Sequence, residues 1–301
     1  MSLRPVKRVI ESKPTLEGAG VKLRRAFGFG QTKEFDPFLL LDDFRNDNPE
    51  DYLAGFPWHP HRGIETITYV LAGSVEHGDS LGNKGKMGAG DVQWMTAGSG
   101  ILHQEMPKGD PRGRMHGFQL WANLPANLKM TDPRYQDIPS TAIPEVTDDD
   151  GTKIRVICGN FLGVAGPVEG VAADPNYIDV FVPAGKRKTL KVETSRHAFA
   201  YIFQGSGKFR DASTPQGVLT EQVGSEEDYP VRTVGDHSLV LFDRGDEVVV
   251  QAGDEGIRFL LVSGKPIEEP VAWYGPIVMN TSEQLQQAVT ELQDGTFIKH
   301  R

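Results

Sequence analysis

Two pairs of residues in this chain have types and spacing suited to binding a metal ion. One residue separates His59 from His61, and one residue separates His103 from Glu105. Side chains alternate between the two faces of a β-strand, so both members of each pair project from the same face. An antiparallel barrel can bring such pairs face to face across its interior. We therefore predict that three imidazoles and one carboxylate converge on a single cation.

This set of ligands narrows the choice of metal and the chemistry. Neutral imidazole suits iron, copper, nickel and zinc, whereas calcium and magnesium prefer a shell of oxygen atoms. Four protein ligands would close a tetrahedral zinc site but would leave open positions on an octahedral ion. A divalent ion with one carboxylate ligand stays net positive and would favour an anionic ligand. The alternative without a metal is that these are ordinary strand histidines whose ring nitrogens form hydrogen bonds within the protein.

Glu65 competes with Glu105 for the carboxylate role. The segment from Trp58 to Leu71 is predicted as one continuous strand. If that strand has no bulge, Glu65 shares a face with His59 and His61. We therefore keep Glu65 as a rival ligand or as a catalytic base.

Other residues near these motifs have simpler interpretations. His116 is predicted to be an ordinary core histidine, with a supporting contact to the metal ligands as the alternative. Trp58, Met95, Phe118 and Trp121 are candidates to wall an apolar pocket, although aromatic residues in a barrel most often belong to its core.

Composition and charge exclude several classes of function. The chain has 301 residues and a net charge of -9, so direct binding to nucleic acid, which needs clustered positive charge, is not expected. No apolar run approaches the roughly 18 residues of a membrane span, and no secretory signal begins the chain. Cys158 is the one cysteine and ends an apolar run, which predicts a packed core thiol in a reducing compartment. The expected location is cytoplasmic, and nuclear as well if the source is eukaryotic.

The spacing of glycine and proline predicts an all-β protein with two domains. Thirty-four glycines and 20 prolines separate short β-branched and aromatic runs, a pattern typical of barrels and sandwiches. A Pro-rich, acidic stretch over residues 123–150 divides the chain into an N-terminal barrel, 1–135, and a C-terminal barrel, 150–301. Thr281 and Gln284 predict a capping box that starts a short C-terminal helix.

An internal repeat relates the two halves. Residues 201–206 resemble residues 69–74, and residues 245–253 resemble residues 90–98. Counting from these anchors assigns non-ligand residues to the metal positions of the second half. The assigned residues are Lys191, Glu193, Arg258 and Leu260. The second barrel is therefore predicted to hold no metal.

Three segments resemble the pirin family, which lies within the cupin superfamily of double-stranded β-helix, or jelly-roll, barrels. The segments are residues 56–63, 90–98 and 100–107, and the tail at 274–280 also fits. The resemblance covers nearly the whole chain. It implies two tandem cupin barrels with one iron in the first. The family's ligands fall on His59, His61, His103 and Glu105, and Glu65 occupies the place of the acid that other cupins use.

The resemblance implies a quercetin 2,3-dioxygenase activity, in which an anionic flavonol reacts with dioxygen and its central ring opens. Fe(II) is the expected metal, with nickel, copper, manganese, zinc and cobalt as alternatives. Glu65 or Glu105 is the expected proton acceptor. The alternative function is a redox-responsive regulator without turnover, which binds a transcription factor or a metabolic enzyme.

Overall fold

The computed structural model describes residues 2–210 and 233–300, and the regular structure within them is mostly β. The two α-helices are α1 (Thr32–Phe35) and α2 (Ser282–Gln293). The strands of the first half are β1 (Val6–Glu11), β2 (Lys13–Glu17), β3 (Val21–Phe27), β4 (Phe38–Asp43), β5 (Phe56–His61), β6 (Ile64–Ala72), β7 (Ser74–Asp79), β8 (Lys84–Met87), β9 (Val92–Thr96), β10 (Ile101–Lys108), β11 (His116–Asn123), β12 (Arg134–Ile138) and β13 (Glu145–Thr147). Those of the second half are β14 (Lys153–Cys158), β15 (Asn160–Phe161), β16 (Val164–Ala165), β17 (Asn176–Val182), β18 (Arg187–Lys191), β19 (His197–Phe209), β20 (Thr233–Gly235), β21 (Ser238–Phe242), β22 (Glu247–Gly264), β23 (Ala272–Tyr274) and β24 (Ile277–Met279).

The two large sheets repeat the same strand order. The first runs β12-β9-β6-β11-β4-β3-β2, and the second runs β1-β21-β19-β22-β17-β14-β13. The sheet β5-β10-β7-β8 completes the first barrel, and β18 and β20 pair with β22 and β19 in the second. The predicted pair of tandem cupin barrels with a short C-terminal helix is confirmed. Within the described residues, neither helix is long and apolar enough to span a bilayer.

The large sheet of the second barrel is completed by a strand from the start of the chain. The first strand of the chain, β1, pairs with β21, so residues 6–11 lie in the sheet of the second barrel. At the matching place in the first barrel, β12 pairs with β9. The predicted domain boundary at residues 135–150 stays a prediction. A division of the chain into two consecutive segments does not account for the place of β1 in the second barrel.

Two buried tyrosines join the barrels in a reciprocal way. The Tyr69 hydroxyl donates to Asp179 of the second barrel at 2.7 Å, and the Tyr201 hydroxyl donates to Asp43 of the first at 2.8 Å. Both tyrosines belong to one apolar core that contains residues of both barrels. Since they also open the repeated segments at 69–74 and 201–206, the repeat relates positions that are equivalent in the fold.

The second anchor of the repeat is wrong. Tyr69 pairs with Val92, whereas Tyr201 pairs with Leu239. Leu239 is therefore the counterpart of Val92, and residues 245–253 are not the counterpart of residues 90–98. Counting residues from a single motif failed because the connections between strands differ in length in the two barrels.

The C-terminal helix begins as predicted. Thr281 is its N-cap and accepts a hydrogen bond from the Gln284 backbone N–H, while the Gln284 side chain accepts one from the Thr281 N–H. Ala288 is buried on the face of the helix that packs against the tail. The helix ends just before Gly295, whose φ of 70° lies in the left-handed region.

Lys129 fastens the C-terminal tail to the first barrel. Its ammonium is buried and donates to Gly63 O at 2.9 Å, Asn123 Oδ1 at 2.7 Å and Val278 O at 3.0 Å. We expect Lys129→Met to lower the free energy of unfolding by about 3 kcal/mol or more, because three buried acceptors lose their donor. Urea denaturation measures this change.

The control for this substitution is Lys22→Met, since the Lys22 side chain is 63% exposed. It should change stability by less than about 0.5 kcal/mol. A loss of less than about 1 kcal/mol in the Lys129 variant would show that the clamp contributes little.

Cys158 is a core thiol, as predicted. It is free and buried, and burial raises its pKa to about 12. Because only the thiolate reacts readily, iodoacetamide at neutral pH should modify the unfolded protein but not the folded one. Mass spectrometry checks this, and rapid labelling under native conditions would contradict it.

Candidate metal centre

The predicted ligands lie on two neighbouring strands. In the pairing of β10 with β5, His103 is directly opposite His59, and Ile101 is opposite His61. Residues opposite each other in an antiparallel pair project from the same face. The two pairs therefore meet side by side on one sheet, and the expectation that they face each other across the barrel is wrong.

The three imidazoles form one cluster, as predicted. Their ligating nitrogens lie within 4.8 Å of one another, and the His59 and His61 Nε2 atoms are 3.0 Å apart. Two nitrogens each about 2.1 Å from one ion and at right angles to each other would be about 3.0 Å apart. The separation of the His59 and His61 nitrogens therefore suits two neighbouring ligands of one divalent metal ion.

The histidines are held in the neutral form that metal binding requires. Burial lowers the pKa of His61 and of His103 well below the ordinary value, and neighbouring imidazoles lower each further. The Pro57 carbonyl lies 2.9 Å from His59 Nδ1 and can only accept, so this nitrogen carries the proton and Nε2 keeps its lone pair.

His103 provides a further test of fit. Both of its ring nitrogens are buried and lack a hydrogen-bond partner in the described parts of the chain. Buried polar atoms almost always have partners, and an orphaned atom in a ligand cluster is accounted for by an ion. The donor set present therefore fits a transition metal.

Glu105 lies next to the cluster. Its Oε2 is 3.9 Å from His103 Nε2, and its Oε1 is 3.3 Å from the Thr68 hydroxyl. Burial raises the pKa of Glu105 to about 7, and the Thr68 hydroxyl opposes this rise. A carboxylate in this place can bind a cation, or hold a proton near neutral pH.

Glu65 lies on the opposite face of its sheet. The predicted strand over residues 58–71 is interrupted at Gly63, where φ is 76° and any Cβ would collide with the Val278 carbonyl. The turn shifts the alternation, so Glu65 pairs with Thr96 and accepts its hydroxyl hydrogen bond at 2.7 Å. The prediction that Glu65 shares a face with His59 and His61 is wrong.

A cavity of about 600 Å³ opens onto the cluster, within the range of small-molecule sites. His59, His61 and Glu105 line one part of it. Trp121 also lines it, as predicted, with its ring centroid 5.2 Å from that of His61 and nearly perpendicular to it.

The other predicted wall residues lie elsewhere. Met95 and Phe118 are core residues, and Trp58 is 56% exposed. Two aromatic residues that sequence reasoning missed, Phe29 and Trp273, line the cavity and touch edge to face at 5.5 Å. Trp273 lies just before the tail at 274–280, which resembles the pirin family. That resemblance was the one feature of the sequence that could have pointed to Trp273.

The C-terminal tail contributes part of the wall of the first barrel's cavity. Trp273 and Pro276 line it, and Arg62, the residue after His61, holds the tail in place. The Arg62 guanidinium donates to Glu291 at 2.7 Å and to the Phe297 carbonyl at 2.8 Å, and it stacks on the Phe297 ring. The segment after the second barrel is therefore part of the candidate site.

Arg25 and Asp42 form another part of the wall that sequence reasoning missed. Arg25 lines the cavity and donates to Asp42 through Nε at 2.8 Å and Nη2 at 2.7 Å. It also contacts Glu17 at 2.8 Å. Burial raises the pKa of Asp42 to about 6, although Arg25 opposes this rise.

The corresponding positions of the second barrel are aliphatic. Val75 pairs with Pro107, and Gly207, its counterpart in the repeat, pairs with Ala252. Counting back along the strands gives the residues in place of His59, His61, His103 and Glu105. They are Leu190, Val192, Val248 and Val250, all buried in one apolar core. The assignment of Lys191 and Glu193, counted back from Tyr201, is wrong by one residue, because the connection that follows these positions is one residue longer in the second barrel. The assignment of Arg258 and Leu260 is wrong because it used the incorrect anchor. The four matching positions carry no metal-ligating side chain.

His116 is also placed differently from its prediction. Its Nε2 lies 2.6 Å from Asp47, and its side chain is 25% exposed. It is therefore a partly exposed histidine with an acidic partner, and it is not among the buried core residues.

Comparisons with known proteins agree with this architecture. The family models described as Pirin and as Pirin C-terminal cupin domain match residues 20–122 and 177–298. A pirin-like protein of Caulobacter vibrioides is 45% identical over 298 residues, covering 99% of this chain and 100% of that protein. Human pirin is 36% identical, covering 97% of this chain and 93% of its own.

A solved structure extends the likeness to the fold. The crystal structure of a quercetin 2,3-dioxygenase from Acinetobacter baumannii has a TM-score of 0.84 and 30% sequence identity, covering 98% of this chain and 99% of that one. Since these matches span both barrels and nearly the full length of the relatives, the chain belongs to the pirin family.

Proposed function

We propose that this protein is a metal-dependent dioxygenase of the quercetin 2,3-dioxygenase type. Its substrates are a flavonol and dioxygen. The observation that carries the proposal is a cluster of three neutral imidazoles at the wall of a cavity of about 600 Å³. The similarity to the Acinetobacter quercetin 2,3-dioxygenase supports it.

His59, His61, His103 and Glu105 are proposed to hold the metal. We propose Fe(II), while imidazole ligands also accept nickel, copper, manganese, zinc and cobalt. A divalent ion bound there supplies Lewis acidity, which favours the anionic form of a flavonol hydroxyl. In the overall reaction the central ring opens, both atoms of dioxygen enter the ring-opened product, and one ring carbon leaves as carbon monoxide.

The protein's own residues bind the flavonol and move its proton. Trp121, Trp273 and Phe29 offer apolar ring surfaces to a flat aromatic molecule and exclude water from it. Glu105 is the proposed acceptor of the hydroxyl proton, since its carboxylate lies beside the imidazole cluster and lines the cavity. Glu65 is left out of this machinery because it lies on the other face of its sheet.

The test is a single-turnover experiment. Protein loaded with Fe(II) is mixed with quercetin without oxygen, and dioxygen is then admitted. We expect release of carbon monoxide together with loss of the flavonol absorbance. His61→Ala, checked by circular dichroism and metal analysis, should abolish both signals.

The contrary result is informative. If the protein retains iron and binds quercetin but releases no carbon monoxide, the dioxygenase proposal fails. A regulator that senses the oxidation state of its metal and binds a protein partner would then account better for the same site.

A further inference from the structure

A row of polar side chains crosses the inner face of the first barrel. Strand pairing places Arg25 opposite Asp42, Asp42 opposite Gln119, and Gln119 opposite Thr68. The row then continues to Gln93 and Asp137. Six neighbouring strands therefore carry polar residues where the inside of a barrel ordinarily carries apolar ones.

The second barrel provides an internal comparison. Because Tyr69 and Tyr201 are equivalent, Thr68 corresponds to Ala200, and strand pairing identifies the rest of the matching row. It reads Val156, Ile178, Leu261, Ala200, Val240 and Val9. These residues belong to or pack against one apolar core. The same positions are thus wholly apolar in the barrel that has no ligand set.

Hydrogen bonds connect the polar row to the metal cluster. The Thr68 hydroxyl lies 2.6 Å from Gln119 Oε1 and 3.3 Å from Glu105 Oε1. It has a single proton, so the orientation of the Gln119 amide decides which acceptor receives it. Arg25, Asp42 and Gln119 also line the cavity that opens onto His59 and His61.

Spacing and charge define what this part of the cavity can bind. Arg25 lies two strand spacings from Gln119, a distance of about 10 Å. The two side chains can therefore contact polar groups at opposite ends of a three-ring molecule at the same time. Arg25 contacts two carboxylates, those of Glu17 and Asp42. One guanidinium between two carboxylates leaves this group of side chains with a net negative charge and with free acceptor oxygens. Such a group binds hydroxyl groups as donors and repels a ligand carboxylate.

We propose that Arg25, Asp42 and Gln119 form a specificity subsite for the hydroxyl groups of the ligand other than the one at the metal. This inference rests on the proposed function and adds to it the ligand class: neutral, polyhydroxylated aromatic molecules are preferred over unsubstituted or carboxylated ones. The residues hold the ligand in place and take no part in bond breaking.

The experiment compares two probes on the iron-loaded protein. Quercetin carries several ring hydroxyls, and 3-hydroxyflavone carries only the one beside the carbonyl. Anaerobic binding is measured by quenching of tryptophan fluorescence. We expect quercetin to bind at least about tenfold more tightly, since an unfilled polar site costs roughly 1.4 kcal/mol or more. Equal affinities would overturn the proposal.

The variant takes its residues from the second barrel. Arg25→Val with Asp42→Ile replaces a partly buried ion pair by the aliphatic residues of the equivalent positions, a change that is often tolerated. The preference for quercetin should fall by about tenfold. Gln119→Leu, which removes no charge, should also reduce the preference for quercetin. This variant replaces the double variant in the test if the double variant does not fold. Lys22→Val, on the outer face of the same strand as Arg25, is the control.

Binding separates this proposal from the dioxygenase activity. A preference for quercetin that is lost in the variants supports the subsite even if no carbon monoxide forms, in which case only the dioxygenase proposal fails. A preference that survives in the variants, or affinities for both probes that fall by the same factor, would overturn the subsite.

Discussion

His103→Ala is expected to lose bound metal and, with it, flavonol turnover. His103 lies directly opposite His59, and both of its ring nitrogens are unpartnered in the described chain. Changes to groups that only support a ligand commonly cost 10- to 100-fold in metal affinity or activity, so removing a ligand should cost about 100-fold or more. Equilibrium metal titration and carbon monoxide release measure the two effects.

The matched control is His116→Ala, since His116 is a partly exposed histidine outside the cluster that contacts Asp47. Metal affinity and turnover should stay close to those of the parent protein. If the His103 variant binds metal as tightly as the parent protein, the ligand assignment fails. If both variants lose metal equally, the loss reflects general destabilisation.

Glu105→Gln is expected to lower turnover by about 100-fold or more, within the range for loss of an acid–base group. The change keeps the shape of the side chain but removes both the charge and the ability to accept a proton. Stopped-flow absorbance of quercetin measures turnover, and metal analysis shows how much of the loss comes from weaker metal binding.

Glu65→Gln is the matched comparison, because both glutamates are buried and both contact a threonine hydroxyl. Burial raises the pKa of Glu65, so a neutral amide suits its surroundings. Turnover should fall by less than about tenfold. If the Glu65 change is the more damaging of the two, the assignment based on sheet faces is wrong.

Much of the metal cluster was predictable because it depends on local order. Alternation along a strand is a property of two or three successive residues, so the pairing of His59 with His61 could be inferred from the sequence. The same reasoning failed for Glu65, because the turn at Gly63 depends on a distant contact with the Val278 carbonyl. One residue out of strand conformation moves every later side chain to the other face.

The sequence by itself determined the all-β architecture, the repeat at the two tyrosines, the ligand-bearing pairs and the family. Only the tertiary structure decided that the pairs lie side by side, that the tail completes the cavity, and that a polar row in one barrel matches an apolar row in the other. The physical reason is that strand register and loop length join residues far apart in the chain, and periodicity within one strand carries no information about them.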